Sequence, residues 1–313
     1  MKILAFDIGG TNCRMGLARV EDGVLRLERQ AQVPTGSVHT ARELYCAAQN
    51  QWGQEMQDAA ACGLAVAGPV SPEGARLSNA DLVIDRKELE DCLALPVNLC
   101  NDFAAVAYAL ETEAGRGAEH CHGGCADASR VRAVVGAGTG FGCGLLLPSG
   151  EYVPSEGGHM TLSFEPEEEA FAAFLREMLH WPLLTADNVL SGRGLEALVL
   201  HVTGRTCTAR EAGERYLQDT DNDVARIYTR LFARTCRNWA LATLCLGGLW
   251  IAGSLAMCNR QIVRSELFAR EFVQGTHVNL LARVPVCLFS EPAYGLWGAA
   301  RAGQRGLDEK RAR

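Results

Sequence analysis

Two short segments carry glycines and hydroxyls at a spacing that can hold an anion. DIGGTNCR spans residues 7–14 and GAGTGFG spans residues 136–142, each between two apolar runs. A tight bend with Gly9 and Gly10, or with Gly138 and Gly140, lets backbone N–H groups approach an anionic oxygen closely. Thr11 and Thr139 add a hydroxyl donor to each. Taken singly, either segment also reads as an ordinary hairpin turn. A dinucleotide-binding loop needs G-x-G-x-x-G opening a helix, but position 141 is Phe and the LLL that follows reads as strand. The G-x-x-x-x-G-K-[ST] loop and the protein-kinase motifs are absent.

Other side chains could handle hydroxyls and protons. Asn101 and Asp102 follow PVNLC (96–100) at the end of a predicted strand. A carboxylate within hydrogen-bond reach of a hydroxyl can act as its general base. Equally, Asn101 or Asp102 could cap the helix that follows, and the two roles are compatible. Glu156 and His159 flank Gly157–Gly158, where the chain must be tight, and together could hold adjacent hydroxyls. His159 could instead be a structural histidine. His120, Cys121, His122 and Cys125 put four soft ligands into six residues. A structural zinc site usually draws on two separated pairs; no second pair is evident, so a surface loop within an insertion is the favoured expectation.

The elements that must position these residues follow from patterning. KILAF (2–6), RMGLARV (14–20) and VLRLERQAQV (24–33) read as an antiparallel meander, with Glu21–Asp22–Gly23 as a hairpin signal. A helix is predicted over 39–51, strands over 61–70 and 96–100, and a helix over 103–110. Residues 113–130 read as a linker or insertion. A second meander covers 130–140, 141–147 and 151–154. Helical patterns then dominate from about 166 to 246, before strands at 247–254 and 284–290 and a closing helix at 293–303. A meander followed by βα units, then the same again, implies two similar α/β half-domains.

Composition is that of a globular chain: 48% hydrophobic and 21% charged over 313 residues, long enough for two domains. A net charge of −7 gives no general attraction to nucleic acid. No apolar run approaches a spanning length, and MKILAFDIGG lacks the long apolar stretch and cleavage site of a signal peptide. No membrane association is expected, and the expected location is the cytoplasm. The 13 cysteines lie mostly in apolar stretches, as do Cys62, Cys100, Cys143 and Cys245, and are expected as buried thiols.

DIGGTNCRMGLA, NDFAAVAYAL, GAGTGFGCGLLL, SEGGHMTLSF, VLSGRGLEAL and GGLWIAGSLA, in that order, resemble the bacterial glucokinase family of the hexokinase and actin-like ATPase superfamily. The resemblance runs from residue 3 to about 301. It implies a two-lobed actin-like ATPase (ribonuclease H-like) fold, with a mixed sheet flanked by helices in each lobe and a cleft between. The lobes would be residues 1–112 plus about 291–313, and 113–290. It implies ATP and Mg²⁺ as cofactors, glucose as substrate, phosphorylation at its 6-hydroxyl, and a homodimer. Asp7, Gly9, Gly10, Thr11 and Asn12 match the first phosphate motif, Gly138, Thr139 and Gly140 the second, and Gly253 and Ser254 the adenosine motif. Asp7 would place Mg²⁺, usually through water. Asp102 matches the base, and Asn79, Asn101, Asp102, Glu156, His159 and Asp187 match sugar contacts. Asp187 stands where Glu is usual, Leu82 where an aromatic residue is frequent, and Ser254 where Gly is usual. Kinases for fructose, mannose or an N-acetylhexosamine are the near alternatives. A non-catalytic sugar-binding regulator on the same fold is the distant one, and no DNA-binding helix pair is expected ahead of Asp7.

Overall fold

The computed structural model describes residues 1–77, 82–219 and 221–312. The chain forms two compact units: Met1–Gly117 with the segment from Glu291 onward, and Ala118–Ser290.

The first unit opens with β1 (Lys2–Ile8), β2 (Asn12–Glu21) and β3 (Val24–Pro34), a meander as expected. Its β2–β3 turn places Asp22 and Gly23 at φ 50° and 78°, the left-handed pair that a two-residue hairpin turn needs. Then come α1 (Ala41–Trp52), β4 (Ala59–Val66), the small hairpin β5 (Gly74–Arg76) and β6 (Val83–Asp85), α2 (Arg86–Leu93), β7 (Val97–Asn101), α3 (Asp102–Ala109) and α4 (Glu113–Arg116). The sheet order is β3-β2-β1-β4-β7, with β4 parallel to both β1 and β7.

The second unit repeats the plan. β8 (Glu119–His122) precedes a meander of β9 (Arg132–Ala137), β10 (Phe141–Leu146) and β11 (Tyr152–Ser155). Helices α5 (Glu169–Leu179), α6 (Ala186–Leu190), α7 (Gly192–Thr203), α8 (Ala209–Tyr216) and α9 (Asp223–Thr243) follow. β12 (Gly248–Ala252), α10 (Ser254–Cys258), α11 (Arg260–Arg264), α12 (Glu266–Phe272), α13 (Val278–Leu281) and β13 (Val286–Leu288) complete it. Its order, β11-β10-β9-β12-β13-β8, matches the first sheet strand for strand in order and pairing sense, with β8 as an added antiparallel edge. The chain then returns to the first unit as α14 (Tyr294–Ala312), which packs on β1, β4, β7 and α3. That approach depends on Gly298, where a Cβ would lie 1.7 Å from the Ala105 carbonyl oxygen.

Apolar side chains on both meanders and their covering helices form one core per unit, and each fully buried Leu, Ile or Phe contributes about 1.5–3 kcal/mol. Cys62, Cys100, Cys143 and Cys245 are buried in these interiors, and all 13 cysteines are free.

The 113–130 segment departs from the expected linker. It holds α4 and the edge strand β8, which pairs with β13. His122 stacks on Phe268 at 5.7 Å and its Nε2 lies 2.5 Å from the Val263 carbonyl oxygen; His120 Nε2 lies 2.8 Å from that of Gly124. These rings are engaged by backbone and an aromatic face, which a polar, Gly-containing sequence does not advertise. Among the described residues, no group of three or more His, Cys, Asp or Glu side chains is arranged to hold a metal ion. No helix among them is long and apolar enough to cross a membrane.

Candidate active site

The first glycine turn joins β1 to β2. The Gly9 amide donates to the Asn12 carbonyl at 3.0 Å, closing the bend. Thr35, 1% exposed just after β3, holds the turn from behind: its amide donates to the Thr11 carbonyl at 2.9 Å and its hydroxyl to the Gly9 carbonyl at 2.7 Å. Gln32 Nε2 donates to Asn12 Oδ1 at 2.8 Å. The Gly10 and Thr11 amides have no partner among the described residues, and a Cβ at Gly10 would meet nothing within 4 Å.

Asp7 lies on β1 directly opposite Arg14 on β2, and the guanidinium sits 3.4 Å from Asp7 Oδ2. Burial raises the Asp7 pKa, against the lowering effect of Arg14. Gly295, in the first turn of α14, leaves room for the carboxylate: a Cβ there would lie 2.6 Å from Asp7 Oδ2.

The Asn101–Asp102 pair divides its duties. Asn101 is the N-cap of α3, its Oδ1 accepting from the Ala104 amide at 2.8 Å. Asp102 is therefore not needed as the cap. Its Oδ1 accepts from the Phe103 amide at 3.0 Å and from Asn101 Nδ2 at 3.3 Å. Burial, with a further contribution from the nearby Asp7 charge, pushes its pKa up to about 6, while the Phe103 amide opposes the rise. A carboxyl poised there is ionised at neutral pH yet basic enough to take a proton. Asn79, expected at the sugar, lies outside the described residues.

In the second unit, the other glycine turn joins β9 to β10. The Gly138 amide donates to the Gly140 carbonyl, and the Gly192 amide at the start of α7 to the Gly138 carbonyl, both at 2.9 Å. The Phe141 amide donates to Asp187 Oδ1 at 2.7 Å. As in the first unit, two consecutive amides, Thr139 and Gly140, have no partner among the described residues. Gly253 adopts φ 92° after β12, and a Cβ there would lie 2.1 Å from the Ala137 carbonyl oxygen. This glycine lets the segment after β12 close onto the turn, bringing Ser254 Oγ to 3.8 Å from a Cβ at Gly138.

Glu156 and His159 stand 3.7 Å apart on the turn after β11, 90% and 61% exposed. The intervening glycines are forced by packing. A Cβ at Gly158 would meet the Phe141 carbonyl oxygen at 1.8 Å, and one at Gly157 the Trp239 ring at 2.7 Å. Further along, Arg234 of α9, 2% exposed, forks onto Glu168 at 2.6 and 3.1 Å and reaches the Ser163 carbonyl at 3.2 Å. α9 thus contacts Gly157 within the segment and Ser163 and Glu168 after it.

Arg14, Thr35 and Gly295 were not singled out from sequence. The seven-residue spacing of Asp7 and Arg14 around a hairpin would have flagged that pair. Thr35 and Gly295 meet the turn only through tertiary folding.

The glucokinase family model matches residues 4–305. A glucokinase of Pseudomonas paraeruginosa is 32% identical over 320 residues, covering 96% of this chain and 92% of its own. The crystal structure of a glucokinase from an Antarctic psychrotroph matches with TM-score 0.84 at 26% identity, over 97% of this chain and 99% of that one. A ROK family glucokinase from Streptomyces griseus, solved with glucose and AMPPNP, shares the fold at TM-score 0.65 and 20% identity, over 98% and 100% of the two chains. The mixed-sheet α/β units are those of the actin-like ATPase fold of sugar kinases. The chain belongs to the glucokinase family.

Proposed function

We propose that the protein transfers the γ-phosphoryl group of ATP to the 6-hydroxyl of glucose, with Asp102 as general base. One observation carries the reading: at the same place in two sheets of the same topology, a glycine turn presents two consecutive unpartnered amides. Such pairs suit phosphate oxygens. The family, and a relative 32% identical that bears the name glucokinase, support the same chemistry.

Phosphoryl transfer to an alcohol needs alignment, charge neutralisation and a base more than covalent help. Gly10 and Thr11, with Thr139 and Gly140, would hold phosphate oxygens, and Gly253 and Ser254 the adenosine. Asn101, Glu156, His159 and Asn79 would bind sugar hydroxyls. Asp102 Oδ2 would take the proton, since Oδ1 is occupied by its two donors. The Asp7 carboxylate would supply a hard oxygen donor toward Mg²⁺, usually through water, and the bound ion would neutralise phosphate charge. Thirteen free thiols suit a reducing compartment, which supports the cytoplasm. A homodimer is the expected assembly, twofold dimers being the commonest closed form.

A panel of glucose, fructose, mannose, N-acetylglucosamine and N-acetylmannosamine with ATP and Mg²⁺, read as ADP formation, tests the reading. Glucose should show the highest kcat/KM. Absence of sugar-dependent ADP formation would sink the kinase assignment, and preference for another sugar would replace glucose.

A further inference from the structure

The geometry points to Asp187 as a positioning residue for the second phosphate turn rather than a sugar ligand. This rests on the reading of the chain as an ATP-dependent sugar kinase and concerns how one acidic residue serves it.

Asp187 sits in the first turn of α6, half-buried. The needs of that helix end are met by others: Thr185 is the N-cap, its hydroxyl accepting from the Asn188 amide, and Asn188 Oδ1 accepts in turn from the Thr185 amide. The Asp187 carboxylate instead leaves the helix. Oδ1 accepts from the Phe141 amide at 2.7 Å, a short bond of the charge-assisted kind. The same oxygen would lie 2.8 Å from a Cβ at Gly140, so carboxylate and turn are packed in direct contact.

Three consequences follow. Phe141 is the residue at which the turn becomes β10, so the bond fixes where the turn ends. With Phe141 tied to Asp187 and Gly138 to Gly140, Thr139 and Gly140 are the amides of the turn without a partner among the described residues, held between two anchors. The turn is also tied to the chain just after His159, because the chain entering α6 bridges to it: the Leu162 amide donates to the Leu184 carbonyl at 2.8 Å, and Thr161 pairs with Thr185. An Asp is the right length for this task. A Glu has one methylene more, and its carboxylate could not occupy the same place without pressing on Gly140.

The test is binding of AMPPNP and of glucose, each alone, measured calorimetrically on the wild type and on Asp187→Ala, Asp187→Asn and Asp187→Glu. The alanine variant, with no acceptor for Phe141, should bind AMPPNP about tenfold more weakly. The asparagine variant keeps an acceptor oxygen and should stay within threefold of wild type. The glutamate variant keeps the charge but loses the fit, and should resemble alanine; it carries the test if the alanine variant does not fold. Glucose binding should move by less than threefold in all three. A tenfold loss of glucose binding in the alanine or asparagine variant, or unchanged AMPPNP binding in both the alanine and glutamate variants, would overturn the assignment. A wild type that binds AMPPNP but does not phosphorylate glucose would defeat the glucose reading alone, and the AMPPNP titrations would still decide the role of Asp187.

Discussion

The two glycine turns occupy the same position in two copies of one sheet plan, yet they are held by different sets of contacts. The first is held by donors: Thr35 reaches two of its carbonyls from a neighbouring strand end, and its glycines have space around them. The second is held by an acceptor, a donor and close packing: Asp187 accepts from the Phe141 amide, the Gly192 amide donates to the Gly138 carbonyl, and Gly253 lies against the strand beneath. Both solutions leave two amides open at the tip. On the proposed reading, phosphate binding fixes the tip of such a turn, whereas its support can be rebuilt from whatever side chains the surrounding helices supply.

The contrast can be broken experimentally at four points. The largest effect on stability is expected at Gly253→Ala. Its φ of 92° and the 2.1 Å approach to Ala137 leave no room for a methyl group, so the substitution should cost about 3 kcal/mol or more in denaturant unfolding. Second is Asp102→Asn, in the direction of greater stability. Because the folded pKa of about 6 lies above the ordinary value of 3.8, the charged carboxylate opposes folding above pH 6 and this penalty vanishes as pH falls toward 4. The asparagine variant should therefore melt higher than wild type at pH 7.5, by the equivalent of about 2–3 kcal/mol, and the gap should close near pH 4. Third, Thr35→Val keeps the shape but removes the donor to the Gly9 carbonyl; it should cost about 1–3 kcal/mol and raise the KM for ATP. The smallest effect is expected at Gly10→Ala, where the added methyl meets nothing: stability should change by less than about 0.5 kcal/mol. The KM for ATP should nevertheless rise if, as proposed, a phosphate approaches the turn where that methyl would stand. A Gly10→Ala variant as unstable as Gly253→Ala would erase the distinction between the open turn and the packed one.

The glycine turns and the meanders around them were readable because their signals are local: alternating apolar residues, Asp22–Gly23 at a bend, glycines between strands. The closing helix and the Asn101–Asp102 strand end were readable for the same reason. What the sequence hid was tertiary. The 119–122 strand has no apolar alternation because backbone pairing with β13 and the stacking of His122 on Phe268 define it. Which of Asn101 and Asp102 caps α3 depended on side-chain geometry, as did the support of Thr35 for a turn 26 residues away. Asp187 was legible as an acid in the right neighbourhood. That its carboxylate turns toward the Phe141 amide, 46 residues distant, was not.

The measurement that bears most directly on the account is the pH dependence of kcat/KM for glucose, at saturating ATP and Mg²⁺, in the wild type and in Asp102→Asn. With Asp102 as base, the wild-type value should be level from about pH 7 to 8 and fall about tenfold per unit below about pH 6. The variant should lie about a hundredfold or more lower and lack that limb. A wild-type profile flat to pH 5, or a variant within tenfold of wild type, would contradict it.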